Sequence, residues 1–353
     1  MRAFALLVVL ALVGAAGFGF TLYKRTNEPF KGYGASEQFL EIEPGSSSRT
    51  IGEKLIAAGL IRDRATFRTA LWRTGFGRSL KAGEYRFDRP MTATEVVQKI
   101  GRGEVYERRV TFPEGLTYAE MARIYEQQGF GQSAAFLEAA RDGVPIHHVD
   151  PDARDLEGYL FPETYALRRD STARSLVHTM VGRFEQLFTT DMQQAAEKLG
   201  LTTRQAVTLA SLVEKETAVD AERPIVAAVY ANRLKIHMGL QCDPTVIYAL
   251  QKAGRYNGNL RRDDLHFDSP YNTYRYAGLP PGPIANPGLA SLKAAVAPAD
   301  VDYLYFVSRN DGSHVFARTL DEHNENVRKF QVQYFRDQRA AERAAERAAG
   351  ARP

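Results

Sequence analysis

The chain has 353 residues, 44% of them hydrophobic and 25% charged, enough apolar content for a sizeable core spread over two or three domains and too much for a disordered protein. Its 46 Lys and Arg nearly balance 42 Asp and Glu, leaving a formal net charge of +4 without a long basic block, so nucleic acid is not an implied partner. The single cysteine, Cys242, excludes an intramolecular disulfide and a cysteine-cluster metal site.

At the N-terminus, Ala3 to Tyr23 carries no charge, is rich in Leu, Val, Ala and Phe, and is closed by Lys24 and Arg25. Residues 1–25 therefore read as a transmembrane anchor. A cleaved signal peptide competes, because Gly14-Ala15-Ala16 resembles a cleavage site, but the uncharged run continues through Phe18, Phe20 and Leu22, beyond a usual signal core. The flanking charges nearly tie, and long domains translocate largely regardless of them. The Pro/Gly/polar stretch 26–36 reads as a linker.

Residues 37–108 form a small module: a strand at Phe39–Ile42, a Pro44-Gly45 turn, helices at Ser48–Leu60 and Arg64–Thr74, a strand at Ala82–Phe87 and a helix at Met91–Ile100. The grammar recurs in 109–150, where Val110-Thr111-Phe112, Pro113-Glu114-Gly115 and a helical Thr117–Gln128 restate strand, turn and helix as a degenerate duplication or connector. Neither copy carries a polar constellation for chemistry, so binding or spacing is the expected role. Another helix is expected at Ser133–Arg141. His147, His148 and Asp150 are metal-ligand types, but adjacent histidines between two prolines read as solvated loop residues.

In 151–335, Gly158–Tyr165 is dense in aromatics and contains a carboxylate candidate, Glu163, weighed against simple core packing at a junction. Arg174–Leu187 is an amphipathic helix. The stretch Ala206–Thr217 then places an acid at the end of an apolar stripe. At about 100° per residue, Ala206, Leu209, Leu212 and Val213 share a face, and Glu216 falls within roughly 20° of Leu209. Glu214 lies on the opposite flank. A glutamate against apolar walls has its charged form disfavoured, as a general acid requires; the alternative is a helix-end glutamate turned to solvent. Asp220 can cap the next helix, with Pro224 in its first turn and Ile225, Ala228, Val229 and Asn232 buried.

From Gly239 to Gly288 the chain reads as a long loop region whose aromatics argue against disorder. Its Asn, Asp, Gln and Thr can pair with hydroxyls and acetamides, and its tyrosines can cover a sugar ring. Tyr303–Val307 reads as a buried strand, with a hairpin partner at Val315–Ala317 across Asn310-Asp311-Gly312. A last helix begins near His323. Residues 336–353 form an Ala/Arg/Glu-rich tail. Cys242 with a histidine is a poor nucleophile pair, sitting in a Gln-Cys-Asp-Pro turn without a local signature. No Gly-x-Ser-x-Gly elbow, Walker loop or His-Glu-x-x-His helix is present.

The ordered runs Ala210–Thr217, Glu222-Arg223-Pro224, Asn232-Arg233-Leu234, Leu240–Tyr248, Ser269–Tyr274 and Leu279–Gly288 resemble the endolytic murein transglycosylases of the MltG/YceG-like type over nearly the whole chain. Relatives carry a small hydroxyl residue at the place of Cys242. The resemblance implies an α+β protein with an N-terminal transmembrane helix, a small LysM-like α+β module at 37–108, and a C-terminal mixed α/β catalytic domain built on a lysozyme-like Glu helix. It further implies cleavage, without water, of the β-1,4 bond between N-acetylmuramic acid and N-acetylglucosamine within peptidoglycan strands, limiting their length and leaving 1,6-anhydro ends. Glu216 matches the family's catalytic acid. Gln241, Asp243, Tyr271, Asn272, Thr273, Tyr274 and Asn286 are the expected substrate-binding residues, each weighed against loop scaffolding, and Glu214 is expected to be structural. No cofactor or metal is implied. The expected partners are glycan strands, the membrane and wall-synthesising penicillin-binding protein complexes, and the expected place is the bacterial inner membrane with the catalytic domain facing the wall. A non-catalytic peptidoglycan-binding scaffold and a hydrolytic muramidase remain as alternatives.

Overall fold

The computed structural model describes residues 2–339, so most of the Ala/Arg/Glu-rich tail expected at 336–353 lies outside the described residues. The chain forms two compact units: one comprises the chain up to Arg108 with Ala166–Asp170, the other Arg109–Tyr165 with the chain from Ser171 onward. Both mix helices with small two-stranded sheets, an α+β arrangement.

In the first unit, β1 (Gln38–Ile42) alternates as period two requires, with Leu40 and Ile42 inward and Glu41 outward. It pairs antiparallel with β2 (Gly83–Phe87), setting Leu40 opposite Tyr85. Their inner face meets Ile51 and Leu55 of α2 (Ser48–Ala57), Phe67 of α3 (Arg64–Thr74) and Val96, Val97 and Ile100 of α4 (Ala93–Arg102). Each such side chain contributes about 1.5–3 kcal/mol when fully buried. Ser47 caps α2, Asp63 caps α3, and Thr92 with Glu95 forms a reciprocal capping box on α4.

The N-terminal stretch is one 26-residue helix, α1 (Arg2–Asn27). Among the described residues no helix is long and apolar enough to cross a membrane, so the expected transmembrane anchor is not shown. Gly14, Gly17, Gly19 and Thr21, followed by Lys24 and Arg25, dilute the apolar run.

The second unit begins at Arg109, within β3 (Arg108–Thr111), which pairs with β4 (Thr164–Leu167), the hydroxyls of Thr111 and Thr164 meeting at 2.8 Å. The turn after β3 repeats the turn after β1: Gly115 and Gly45 both take left-handed φ, at 76° and 80°, and Thr117 and Ser47 then cap α5 (Tyr118–Gln127) and α2. The parallel ends there, because α6 (Ser133–Ala140) and a long connection replace a nearby second strand. Next come α7 (Ala173–Leu187) and α8 (Thr190–Lys198), then α9 (Thr203–Glu216), opened by a Thr202–Gln205 capping box. Every residue of α9 from Ala206 to Val213 is buried. It packs against α8, α10 (Arg223–Lys235), α11 (Asp243–Lys252) and α12 (Leu289–Val296). A helix buried all round at mid-length is a core element rather than a surface one. Its polar members are satisfied: the Thr208 hydroxyl donates to Arg204 O, and the Ser211 hydroxyl donates to Thr208 O and accepts from Ile284 N.

Three expectations are corrected. The supposed loop region from Gly239 to Gly288 contains α11, which starts with Asp243 and Pro244 in its first turn, where a missing N–H is harmless. Asp220 does not cap α10; it opens a short 3-10 turn to Glu222 and pairs with Arg223. The strand expected at Tyr303–Val307 is β5 (Tyr305–Ser308), paired with β6 (His314–Ala317), and it is half-buried rather than buried. The closing helix is α13 (Leu320–Val327), capped by Thr319.

Gly158 shows how tightly the core closes. Its φ is +87°, and a Cβ there would stand 2.5 Å from Pro283 Cγ. Gly158→Ala is expected to cost about 3 kcal/mol, combining left-handed strain with overpacking, read as a lowered midpoint in urea denaturation with an unchanged slope.

Candidate active site

The burial of α9 carries its last turn, with Glu216, into the interior of the second unit. The chain leaves the helix at once, because Thr217 is extended. Its hydroxyl accepts from Val219 N and donates to Glu222 Oε2. Tyr230, one helix over on α10, donates its hydroxyl to Glu216 Oε1 at 2.8 Å. The Cys242 thiol hydrogen-bonds the same carboxyl. Desolvation is the largest influence and pushes the Glu216 pKa up; the Cys242 and Tyr230 donors pull it down, the nearby Asp243 charge pushes it up again, and His314 pulls it down, with a net rise above the ordinary carboxylate range. The position at a helix C-terminus, where the macrodipole is negative, works in the same upward direction. The residue keeps some surface accessible while its carboxyl is crowded by protein atoms, as expected of an acid that must reach a substrate.

Glu214, two residues earlier, is also drawn inward, because α9 is buried on both flanks. It differs in its partners. Its carboxylate meets Arg223 Nη2 at 3.5 Å and accepts from Gly288 N at 3.0 Å, and Arg223 in turn donates to Ser291 Oγ at 3.0 Å. Glu214 thus ties α9 to α10 and to the start of α12. Gly288 leaves room beside it for Glu114, whose Oε1 lies 1.9 Å from where a Cβ would stand; burial and the Glu214 charge raise the Glu114 pKa.

The other expected site residues divide into two groups. Gln241, Asp243 and Tyr274 lie at the surface around the acid. Asp243 Oδ1 accepts the Tyr274 hydroxyl at 2.6 Å, and Gln241 is exposed with a left-handed φ of 51°, a conformation non-glycine residues seldom hold. Thr273 clamps that turn: its carbonyl accepts from Gln241 N, and its hydroxyl accepts from Cys242 N at 3.0 Å and meets the Thr245 hydroxyl at 2.9 Å.

Thr273, Asn272 and Asn286 are themselves buried, so their side chains act as scaffolding rather than as cleft lining. Asn272 donates to Leu265 O and Phe267 O and accepts from Tyr274 N. Asn286 accepts from Gly158 N and Leu160 N, and donates to Leu116 O and Glu157 Oε1, all within 2.9–3.0 Å. Tyr271 belongs elsewhere, with its ring 4.9 Å from that of Tyr248.

The remaining candidates fall away from the acid. Glu163 pairs with Arg183 at 2.7 Å, His147 meets Ala153 O, His148 pairs with Glu185, and Asp150 accepts from Tyr159 and Arg204. Among the described residues, no three His, Cys, Asp or Glu side chains group so as to hold a metal ion.

A family profile described as the YceG-like family matches residues 40–329. The chain belongs to the YceG-like family. It is 31% identical, over 89% of its length and 90% of the relative's, to a Bacillus subtilis protein named endolytic murein transglycosylase. A protein of the same name from Streptococcus pneumoniae is 32% identical over 91% of this chain, which spans 63% of that longer relative. Among solved structures, a yceG-like protein from Listeria monocytogenes aligns with a TM-score of 0.56 at 32% identity, covering 82% of this chain and 98% of the other.

Sequence reasoning missed two members of this YceG-like site. Tyr230 lies on α10 between the expected buried positions Val229 and Asn232, and its only signal is a hydroxyl-bearing ring on a buried helix. His314 bonds Glu222 Oε2 through Nδ1 at 2.7 Å. Against desolvation, the His314 backbone N–H and ring hold Glu222 below the usual carboxylate range. Nothing in the spacing of residues 222 and 314 foretells that contact.

Two outcomes are expected. Tyr230→Phe removes a donor to the charged form of Glu216, so the alkaline limb of a pH–rate profile moves to higher pH and the rate falls by roughly tenfold to a hundredfold. Asn286→Ala strands the two buried N–H groups of Gly158 and Leu160, while the Leu116 carbonyl keeps the backbone N–H of residue 286, costing about 3 kcal/mol by denaturant titration.

Proposed function

We propose that the chain is an endolytic lytic transglycosylase of peptidoglycan, with Glu216 as its acid and base. The observation that carries this is the state of Glu216: a desolvated carboxyl with a raised pKa, held by two neutral donors at the end of a core helix. The names of the relatives at 31–32% identity supply the substrate class. Protonated Glu216 gives its proton to the glycosidic oxygen as the bond from the muramic C1 breaks and positive charge develops at that carbon. The muramic C6 hydroxyl attacks C1 and gives its proton to the Glu216 carboxylate, which restores the acid. The products are a 1,6-anhydromuramic end and a free N-acetylglucosamine hydroxyl, and no water is consumed. Tyr230 and Cys242 steady the carboxylate in the interval, while Asp243, Gln241 and Tyr274 meet the sugars.

Two finer readings go with it. The first unit serves as the LysM-like module that positions glycan. The exposed apolar side chains of α1, among them Leu10, Leu12, Val13, Phe18 and Phe20, tether the chain at the inner membrane, with the second unit facing the wall beside the complexes that synthesise it. A hydrolytic muramidase is the second reading, favoured by one observation: the Asp243 carboxylate bears on Glu216 and could serve a water.

The test is mass spectrometry of uncrosslinked glycan strands after incubation with the full chain and with Glu216→Gln. Internal fragments with 1,6-anhydro ends, reduced at least about a thousandfold in the variant, are expected. Reducing ends would establish hydrolysis instead, and intact strands that still bind would establish a scaffold.

A further inference from the structure

A cavity of about 370 Å³ opens at the N-terminal end of α9, lined by Arg154, Glu157, Arg204, Lys252 and Tyr271 among others, and Glu216 does not border it. Along the helix, Arg204 and Glu216 stand about 18 Å apart at 1.5 Å per residue. No step of the proposed reaction uses this cavity.

Its charges are unevenly matched. Arg204 Nε donates to Asp150 Oδ2 at 2.8 Å, an oxygen that also takes the Tyr159 hydroxyl. Arg204 Nη2 is buried and has no acceptor. That nitrogen is closed to solvent, and it is the exposed quarter of the Arg204 side chain that lines the cavity, where a guanidinium suits a carboxylate. Lys252 Nζ lies 4.0 Å from Asp155 and over the rings of Tyr248 and Tyr271, while Arg154 is exposed. Asp155 already accepts from Glu157 N. Burial pushes the Glu157 carboxyl up to about 8, which leaves it protonated at neutral pH. Arg154, Arg204 and Lys252 thus share the cavity with Asp150, Asp155 and this neutral Glu157.

One loop joins this cavity to the acid. Asn272 and Thr273 are buried beneath it, Tyr271 lines the cavity, and Tyr274 reaches Asp243 beside Glu216. A peptide of four or five residues, extended at about 3.4 Å per residue, spans roughly the separation of the two sites.

We infer that the cavity binds the terminal carboxylate of the short peptide carried by the muramoyl residues of the strand, so that the enzyme reads the peptide as well as the sugar. This rests on the proposed action on peptidoglycan. The shared chemistry is a carboxylate, and the muramoyl group bared by peptide removal offers one too, held much closer to the sugar ring.

The experiment uses the full chain, the Arg154→Ala/Lys252→Ala double variant, whose two side chains are exposed or half-exposed, and the single variant Arg204→Gln. Free stem tetrapeptide and its C-terminal amide are titrated calorimetrically, and cleavage is compared on peptide-bearing strands and on strands stripped of peptide by an amidase. The expectation is binding of the acid but not the amide, weakened about tenfold or more in the variants, the size of one lost charge-assisted contact. A kcat/KM about tenfold higher on peptide-bearing strands is also expected, with the advantage gone in the double variant and cleavage of stripped strands unchanged. Equal turnover of the two substrates, or tetrapeptide binding indifferent to the amide and the variants, overturns the inference. Should neither substrate be cleaved, the reaction proposed above fails, and the titration still decides the cavity: selective binding supports it and none refutes it.

Discussion

The desolvation of α9 is the constraint on which the catalytic unit depends. A helix whose middle touches only protein must satisfy its own polar side chains and must end where the core ends. Both conditions fix Glu216. Thr208 and Ser211 are absorbed into local hydrogen bonds, and the helix stops at the residue whose carboxyl meets the edge of the core. Glu214 and Glu216 differ by two positions, and both are drawn inward. One is given an arginine and a backbone N–H, and serves as a strut. The other is given a phenol and a thiol, and its pKa is raised by burial.

The second constraint is the hub around Asn286. All four of its hydrogen-bonding positions are used, and they join the Gly158–Leu160 turn, the Leu116 carbonyl and Glu157. Tyr248 donates to the other oxygen of Glu157 at 3.2 Å, extending the network to α11. Because Glu157 is neutral near pH 7 and loses its proton only as the pH rises through about 8, its contribution to stability is fully present only below the ordinary carboxylate value. It declines as the pH climbs from the ordinary carboxylate value toward 8.

How much of this was legible in the sequence depended on whether the signal was local. Capping residues, left-handed glycines and the two-residue alternation of β1 located the elements of the first unit, and the apolar stripe ending at Glu216 singled out the proposed acid. The stripe alone did not explain the choice, since α9 is buried on both flanks and Glu214 is inside as well; only the partners separate them. Asn272, Thr273 and Asn286 looked like sugar-binding groups because polar residues in an aromatic-rich loop are the usual material of a glycan cleft. A long loop that folds back on itself must also satisfy its own backbone, and these three do that. Tyr230, His314 and the unpaired edge of Arg204 were invisible, because each depends on contacts between segments far apart in the chain. The α11 helix was hidden for a different reason: its Asp-Pro start reads as a turn when the buried positions behind it are not counted.

Placing the proposed acid on a core helix, while the surface around it comes from the segments 240–243 and 269–274, separates the part that fixes the carboxyl from the part that surrounds it. The helix cannot be lengthened, shifted or rotated without unpacking four neighbours. The surrounding segments are held to one another by the Thr273 clamp, and their Gln241, Asp243 and Tyr274 side chains are exposed. Exchanging the exposed side chains of Gln241, Asp243 and Tyr274 therefore alters what surrounds the carboxyl without repacking the helix that carries it.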